Sequence, residues 1–374
     1  MKTFSTPKRF YSLDLLRGVA SFSVVLAHWS FFLIPYNNQN QILASHQSVV
    51  AVLHLFSLYG GNAVDLFFCI SGFVFFWLYS DNIAKSAISF KNFSILRLSR
   101  LYPLHLLTLL LVALELLNYD SITHSNFAFA NNDTYHFVLN LLFASAWGAQ
   151  KGLSFNGPIW SVSIEVLLYG LFFIYCLYLP KKIVNLLILS LFGHFIISKL
   201  NFDLGRGVES FFIGGCVLII YEKISQTDVI YKFNIWLPKI ALFTWLLIVI
   251  LIASNTISLV HELPSFFQKI LLNSMTMVVF PLTILSLTIF ETTNGQFGEK
   301  LSFLGDISYS TYLLQFPLQL LIMTIWLEFK LNASRLYSLE FIAAFFLTLI
   351  ALSYSSYHYF EMPTQKRLRL FLKK

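Results

Sequence analysis

Long apolar stretches recur along the whole chain, separated by short polar segments. A membrane-crossing helix needs about 20 mostly apolar residues, because each residue advances it by about 1.5 Å through a hydrocarbon core about 30 Å thick. The pattern predicts an all-α fold, a polytopic transmembrane helical bundle of about ten spans. The predicted spans are 12–34, 62–79, 101–118, 159–179, 183–198, 207–222, 239–257, 268–290, 304–328 and 338–360.

The apolar stretch from Phe137 to Trp147 is too short to cross a bilayer. With ten spans and the N-terminus inside, 18 of the 25 Lys and Arg residues fall in cytoplasmic loops and tails and 6 in outer loops. If 137–147 also crossed, the split would become 13 and 11. Because cytoplasmic loops carry an excess of basic residues, we expect ten spans, both termini cytoplasmic, and 137–147 interfacial or re-entrant.

Composition supports a membrane protein. The chain has 374 residues, of which 57% are hydrophobic and 11% charged, whereas a soluble domain carries about 25% charge. We therefore expect one transmembrane domain over 1–374, with a short basic cytoplasmic tail at 364–374. The first apolar segment is too long for a secretory leader and lacks a cleavage site, so we interpret it as a retained span.

Charge and cysteine content exclude other classes. Positive loop ends that orient the protein account for the net charge of +7, so no nucleic-acid partner is expected. Cys69, Cys176 and Cys216 are odd in number and lack metal-ligand spacing, so neither a disulfide framework nor a metal site is expected.

Arg17 and His28 are ionisable residues inside the first span. Eleven residues make almost three helical turns, so the two side chains share a face, about 16 Å apart along the axis. An Arg in a bilayer costs about 2.5–3.5 kcal/mol, which makes such residues functional candidates. The alternative is that Arg17 reaches the interface while His28 makes one interhelical hydrogen bond, and the spacing does not decide between these.

Three further charged residues are candidates for the same chemistry. Glu165, in the fourth span, is expected at a depth similar to that of His28, where it would either orient an imidazole or make a helix–helix contact. Arg97 and Arg100 share a helix face at the start of the third span. They predict either a phosphate site, assisted by the helix dipole, or ordinary anchoring to the cytoplasmic side.

Taken together and in order, several segments resemble the acyltransferase-3 family of polytopic membrane acyltransferases. The matching segments are Leu13-Asp14-x-x-Arg17 with His28, Asp65-Leu-Phe-Phe with Ser71-Gly72-Phe73, Arg97-x-x-Arg100 with Tyr102-Pro103, Trp160 to Glu165, Leu304 to Tyr312, and Glu361-x-Pro363. One departure is Gln315, where the family pattern usually has His. This departure either removes a chemical role from that position or indicates a different acceptor.

The resemblance implies transfer of an acyl group, commonly acetyl, from a cytoplasmic coenzyme A thioester to a hydroxyl of an extracytoplasmic carbohydrate such as O-antigen, capsule or exopolysaccharide. It implies catalytic roles for His28, Arg17 and Glu165, and donor binding by Arg97, Arg100 and Arg17. The residues that we expect on the carbohydrate side are Asp65, Trp160, Ser163, Arg206, Glu209, Tyr309 and Tyr312.

The expected partners are acyl-coenzyme A as co-substrate, the carbohydrate and the lipid bilayer, with no permanently bound cofactor. The expected location is the bacterial cytoplasmic (inner) membrane. Because the chain ends soon after its last span, we expect a form without a fused esterase-like domain.

Two other classes of protein fit parts of the sequence. A transporter or flippase of a lipid-linked sugar would also place Arg, His and Glu within the membrane. Transporters often show repeat symmetry, and no second half resembles the first here. A membrane scaffold without chemistry accounts for the hydrophobicity but not for polar residues at matched depths.

Overall fold

The computed structural model describes residues 7–36, 39, 47–199, 202–253 and 274–373, and within these ranges the chain is helical with no strand. The helices are α1 Tyr11–Ala27, α2 Gln47–Tyr59, α3 Ala63–Ala84, α4 Phe90–Thr123, α5 Thr134–Leu141, α6 Trp160–Tyr178, α7 Ile183–Lys199, α8 Phe202–Ser225, α9 Ile230–Ala253, α10 Phe280–Asn294, α11 Ser308–Glu328, α12 Leu339–Ser355 and α13 Met362–Arg369. Shorter helical turns extend or join them at His28–Leu33, Gly60–Asn62, Gly157–Ile159, Met275–Val279, Glu299–Leu301, Phe303–Asp306, Ala333–Tyr337, Ser356–Glu361 and Leu370–Lys373.

Nine helical segments in the described part of the chain are long and apolar enough to cross a membrane, which confirms the all-helical, multi-pass fold. The tenth predicted span, 183–198, forms α7, an apolar helix of 17 residues. Its length of about 25 Å falls short of a typical hydrocarbon core. Parts of the predicted spans 239–257 and 268–290 lie outside the described residues. The cytoplasmic location of both termini stays a prediction.

The chain divides into two compact units. The first comprises Met1–Arg17, Asp65–Lys85 and Tyr175–Gly305, and the second comprises Gly18–Val64, Ser86–Ile174 and Asp306–Lys374. The single domain predicted over 1–374 stays a prediction.

In the first unit, a carboxylate from α10 caps the beginning of α1. Glu291 accepts the backbone N–H groups of Tyr11 and Ser12, both at 2.9 Å, and the Ser12 hydroxyl at 2.6 Å. The first N–H groups of a helix have no partner inside it, and a negative charge there is favourable. The Glu291 carboxylate therefore holds the first predicted span against α10.

Two glycines let α3 and α8 cross closely within the first unit. A Cβ atom on Gly72 would overlap the carbonyl of Phe211, and one on Gly214 would overlap the carbonyl of Cys69. Small residues are the usual means by which membrane helices bring their backbones together. Gly72 is therefore a packing residue between α3 and α8.

Gly72→Ala is expected to destabilise the protein by about 1–3 kcal/mol, because the added methyl group would force the two backbones apart. Gly170→Ala is the matched control, since a Cβ at this helical position meets no heavy atom within 4 Å. It is expected to be neutral or slightly stabilising. All three cysteines are buried, so a thiol-reactive dye can report thermal unfolding in detergent. Equal melting temperatures for the two variants would contradict the close crossing.

In the second unit, the segment after α4 enters the helical bundle and returns. Asp133 caps α5 by accepting the His136 N–H at 2.8 Å, and the backbone carbonyl of Asn140, near the end of α5, hydrogen-bonds His105 of α4 at 2.8 Å. On the way back, the N–H of Phe155 donates to the Asn132 side chain at 2.6 Å. The two ends of this segment therefore lie next to each other, at Asn132 and Phe155.

The tip of this segment rests on α6. Ser163 donates to the carbonyl of Phe143 and accepts the Ala146 N–H at 3.1 Å, while the Trp147 indole donates to the Ser163 carbonyl at 2.9 Å. Phe143 also stacks on the His105 ring, with centroids 4.2 Å apart. Residues 134–156 thus form a hairpin, and its helix α5 has only 8 residues, too few to cross a membrane. The interfacial or re-entrant position of 137–147 stays a prediction.

Candidate active site

His28 is the first residue of the helical turn His28–Leu33 that directly continues α1. Its carbonyl accepts a hydrogen bond from the Gln319 side chain at 3.2 Å, and its ring stacks on Phe31 with centroids 5.0 Å apart. The Gln315 side chain lies beside the imidazole. Gln315 and Gln319 are one turn apart on α11, so one helix face presents both amides to His28.

Three buried polar atoms at this place make no hydrogen bond of ordinary geometry within the described residues, although the Gln315 side chain interacts with the His28 ring. They are Nδ1 of His28, Oε1 of Gln315 and Oε1 of Gln319. The amide nitrogens are engaged, because Gln315 donates to the Tyr312 carbonyl at 3.2 Å and Gln319 to His28. Buried polar atoms are nearly always paired in folded proteins. Such a cluster, beside a partly exposed histidine, suits a ligand that carries hydroxyl or amide groups.

The depth of this cluster follows from a contact near the beginning of α11. Tyr309 donates its hydroxyl to the carbonyl of Leu101 on α4 at 2.6 Å. Farther along both helices, Phe316 and Leu109 belong to the same buried cluster, so α4 and α11 run in the same direction. Gln315 and Gln319 then lie about 9 and 15 Å beyond the level of Leu101.

Arg97 and Arg100 precede Leu101 on α4, and we call this part of the second unit the arginine end. The Arg97 guanidinium lies over the Tyr169 ring, 5.1 Å from its centroid, and the Tyr169 hydroxyl donates to Glu165 at 2.8 Å. Arg100 interacts electrostatically with Glu361. Both arginines are partly exposed.

One part of the phosphate-site prediction is wrong. The helix α4 begins at Phe90, where the Ser89 side chain accepts the Asn92 N–H at 3.3 Å. Arg97 and Arg100 therefore lie two to three turns inside the helix, whereas the dipole acts within the first turn. Any anion at this place is held by the guanidinium groups rather than by helix N–H groups.

A third guanidinium joins the arginine end from the C-terminal tail. Arg369 of α13 donates to the Leu96 carbonyl at 3.1 Å and to the Ser99 hydroxyl at 3.4 Å. Leu96 and Arg100 are one turn apart on α4, so Arg369 contacts the face that carries Arg100. The sequence indicated only a basic cytoplasmic tail, because charge alone does not show where a helix packs.

Glu165 lies towards the arginine end. At the beginning of α6, Ser161 hydrogen-bonds the Tyr312 hydroxyl at 2.8 Å, and Glu165 follows one turn later, beside Tyr169. The His28 contact on α11, Gln319, lies on the opposite side of Tyr312 along that helix. Tyr169 thus connects Glu165 to Arg97 at the arginine end. The prediction that Glu165 supports His28 stays a prediction.

Three hydroxyls expected on the carbohydrate side make structural hydrogen bonds. Tyr309 donates to the Leu101 carbonyl of α4, Tyr312 donates to the Pro158 carbonyl at 2.7 Å, and Ser163 donates to the Phe143 carbonyl in the hairpin. Trp160 begins α6 and is partly buried. The Tyr312 hydrogen bond places the beginning of α6 next to α11. A carbohydrate role for the four residues stays a prediction.

The first unit contains Arg17 and the remaining candidates for carbohydrate binding. The buried Asp65 carboxylate accepts two hydrogen bonds from Arg206, at 3.0 and 2.9 Å. Glu209 faces His194, with Oε2 3.5 Å from Nδ1. Asp65 and Arg206 thus form a bidentate ion pair between α3 and α8.

Sequence reasoning missed Gln319, Asn156 and Arg369. Asn156 donates to the Leu313 carbonyl at 3.0 Å, and its Oδ1 is a further buried oxygen without a hydrogen-bond partner among the described residues. A signal for Gln319 was present, because two glutamines four residues apart in an apolar span are expensive to bury. Nothing comparable marked Asn156, which precedes α6 in an ordinary turn sequence.

Comparisons with known proteins identify the family. The family described as an acyltransferase domain, acyltransferase-3, matches residues 10–356. Acyltransferase MdmB of Streptomyces mycarofaciens is 31% identical over 163 residues, which cover 43% of this chain and 38% of that protein. Protein 2 in the picA locus of Rhizobium radiobacter is 34% identical over 109 residues, which cover 29% of this chain and 47% of that protein.

The chain thus spans less than half the length of the curated relatives that it matches. No solved structure matches it. The family match extends from just before α1 to the end of α12 and includes both units. This chain is a multi-pass membrane protein that belongs to the acyltransferase-3 family.

Proposed function

We propose that this protein transfers an acyl group, most simply acetyl, from cytoplasmic acyl-coenzyme A to a hydroxyl of an extracytoplasmic carbohydrate such as O-antigen, capsule or exopolysaccharide. The observation that carries the proposal is the buried Nδ1 of His28 beside the Gln315 amide, about 9–15 Å along α11 from the level of the arginine end. That depth suits a reaction whose two substrates enter from opposite faces of a membrane.

His28 acts as the general base in this proposal. The neutral imidazole takes the proton of the acceptor hydroxyl through Nδ1, and the oxygen attacks the thioester carbonyl carbon. The carbon–sulfur bond then breaks, and the leaving thiolate takes the proton back from the imidazolium, which yields coenzyme A and an ester. A two-step route through an acyl-His28 intermediate uses the same residue and the same proton balance.

Several side chains have supporting roles in this proposal. The Gln319 amide holds the His28 carbonyl, and the Gln315 amide lies beside the ring. Arg97 and Arg100 supply planar donors that match the anionic phosphates of coenzyme A. By resemblance to the family, Arg17 also serves the donor. The cytoplasmic membrane is the proposed location, because the acyl donor is a cytoplasmic metabolite.

The test uses purified protein in detergent with acetyl-coenzyme A labelled in the acetyl group. We expect coenzyme A release that depends on a carbohydrate acceptor, and label in an ester that mild base removes. A transporter of lipid-linked sugars would consume no acetyl-coenzyme A. Release no faster than with heat-denatured protein, across neutral, amino and acidic oligosaccharide acceptors, would overturn the proposal.

A further inference from the structure

A cavity of about 370 Å³ opens in the second unit at the C-terminal end of α4. Its polar wall includes Asp120, Asn126, Asp133 and Thr134, and its apolar wall includes Phe137 and Phe155. We call it the Asp120 cavity. Its volume falls within the range of small-molecule sites, about 300–1,000 Å³, which typically combine aromatic walls with a few polar groups.

The Asp120 cavity lies at the opposite end of α4 from the arginine end. Asp120 follows Arg100 by twenty residues on one continuous helix, a distance of about 30 Å along its axis. This length matches the thickness of a bilayer core. If α4 crosses the membrane between Arg100 and Asp120, the arginines and the cavity face opposite sides, whichever way the protein is oriented. A ligand of the cavity therefore approaches from the side opposite to a phosphate bound at the arginines.

The cavity carries negative charge. Its described lining includes two carboxylates and no basic side chain. The Lys151 N–H donates to Nε2 of His136 at 3.2 Å, and Nδ1 of the same ring lies 2.7 Å from the Asp133 carboxylate. The N–H and ring hydrogen bonds from His136 also lower the pKa of Asp133, which keeps it ionised at neutral pH.

The opposite wall is aromatic. The Phe137 and Phe155 rings meet edge to face, with centroids 5.5 Å apart. Carboxylates opposite aromatic rings form an environment that favours cations, because the ring face and the carboxylate both attract positive charge. Ring faces also pack against the apolar faces of sugar rings. Lys151 is exposed and is not part of the described cavity lining. Its positive charge nevertheless acts on Asp133 and weakens the negative potential there.

The inner wall of the cavity leads towards His28. Phe155 and Phe316 belong to one buried cluster, and Phe137 and Phe31 pack against it. The Phe31 ring stacks on the His28 imidazole. The aromatic wall of the cavity and the ring that stacks on the proposed base are therefore parts of one packed cluster, which connects the cavity to the proposed base.

We infer that the Asp120 cavity binds a sugar unit of the acceptor, and that it selects a sugar bearing a protonated amino group over a neutral sugar and rejects an acidic one. The amino group is held by Asp120 and Asp133, while the sugar ring packs on Phe137 and Phe155. This inference rests on the proposed function, because it identifies the bound sugar as part of the acceptor.

The test is equilibrium binding without an acyl donor. Protein in lipid nanodiscs is titrated with methyl glucosaminide, methyl glucoside and methyl glucuronide, and binding is followed by ligand-observed NMR. We expect the amino sugar to bind at least tenfold more tightly than the glucuronide, with a preference that weakens as salt rises. Equal affinities for the three probes would overturn the inference.

Three variants locate the selectivity. Asp120→Asn and Asp133→Asn are each expected to bring the amino sugar close to the neutral one, and Asn at position 133 still caps α5. Phe137→Ala is expected to weaken all three probes. Asp228→Asn, an exposed acid in the first unit, is the control and is expected to change nothing. An amino-sugar preference that survives in both the Asp120 and Asp133 variants would place the selectivity elsewhere.

The two proposals fail separately. Acyl transfer without charge-selective binding would refute the cavity and leave the acyltransferase intact. Charge-selective binding that the Asp120 and Asp133 variants remove, in a protein that transfers no acyl group, would refute the proposed reaction and leave a sugar-binding membrane protein.

Discussion

His28→Asn is expected to lower kcat by about 10²- to 10⁴-fold, because a positioned base contributes a factor of this size to proton transfer. Asn resembles the imidazole in size and keeps a polar atom near Gln315, but it cannot take a proton. The KM for acyl-coenzyme A is expected to change little, since the imidazole lies far from the arginine end. Steady-state kinetics with the purified variant measure both constants.

The control for this substitution is His358→Asn, at an exposed histidine after α12. It is expected to retain normal rates, and both variants are expected to unfold at the wild-type temperature within a few degrees. A His28→Asn protein that is folded and within threefold of the wild-type kcat would remove His28 from the chemistry.

The wild-type protein without acceptor distinguishes the two chemical routes. An acyl-His28 intermediate predicts slow hydrolysis of acetyl-coenzyme A in the absence of acceptor, together with an acetylated peptide that contains His28 in the wild-type protein. Direct transfer predicts neither of these, because the imidazole then holds only a proton. Both routes require His28, so either result leaves its assignment in place.

Arg97→Ala combined with Arg100→Ala is expected to raise the KM for acyl-coenzyme A by about 10- to 100-fold, because charge-assisted hydrogen bonds to phosphate contribute about 1.5–3 kcal/mol each. The KM for the carbohydrate is expected to stay within a factor of two. Lys91→Ala is the matched control, since this exposed basic residue belongs to the same helix. An unchanged KM for the donor would contradict phosphate binding at this place.

A second measurement separates binding from folding, because Arg97 also packs on Tyr169. Acetyl-dephospho-coenzyme A lacks the 3′-phosphate. If the arginines hold that group, the wild-type protein binds this analogue more weakly, and the double variant distinguishes poorly between the two donors. A double variant that keeps the full preference for the 3′-phosphate would assign phosphate binding to other residues.

The position of Gln315 gives the departure from the family pattern a structural meaning. The side chain lies beside His28, with Oε1 buried and making no hydrogen bond of ordinary geometry within the described residues. A His at this position would bring a second ring to the same place, whereas Gln brings an amide that does not titrate near neutral pH. The His28–Gln315 contact thus consists of one imidazole and one amide.

The sequence predicted much of the site because the cost of burying polar groups in lipid is local. Arg97, Arg100 and His28 stand out in apolar stretches whatever the fold, and the structure places His28 in a polar cluster and both arginines together. The prediction that 137–147 does not cross also followed from its length alone. The helix start at Phe90 was not predictable to the same accuracy, because the amphipathic turns before residue 101 are less apolar than a span.

The sequence by itself determined that this protein is a multi-pass helical membrane protein, and it marked the residues that an apolar environment makes expensive. Hydrophobic length and the cost of burying polar groups are properties of each segment, so they can be derived from the chain alone. Only the tertiary structure decided that Gln319 holds His28, that Glu165 joins Arg97 through Tyr169, and that the hairpin of residues 134–156 helps to form an acidic cavity at the far end of α4. These pairings depend on which helix faces meet, which follows from packing between segments far apart in sequence.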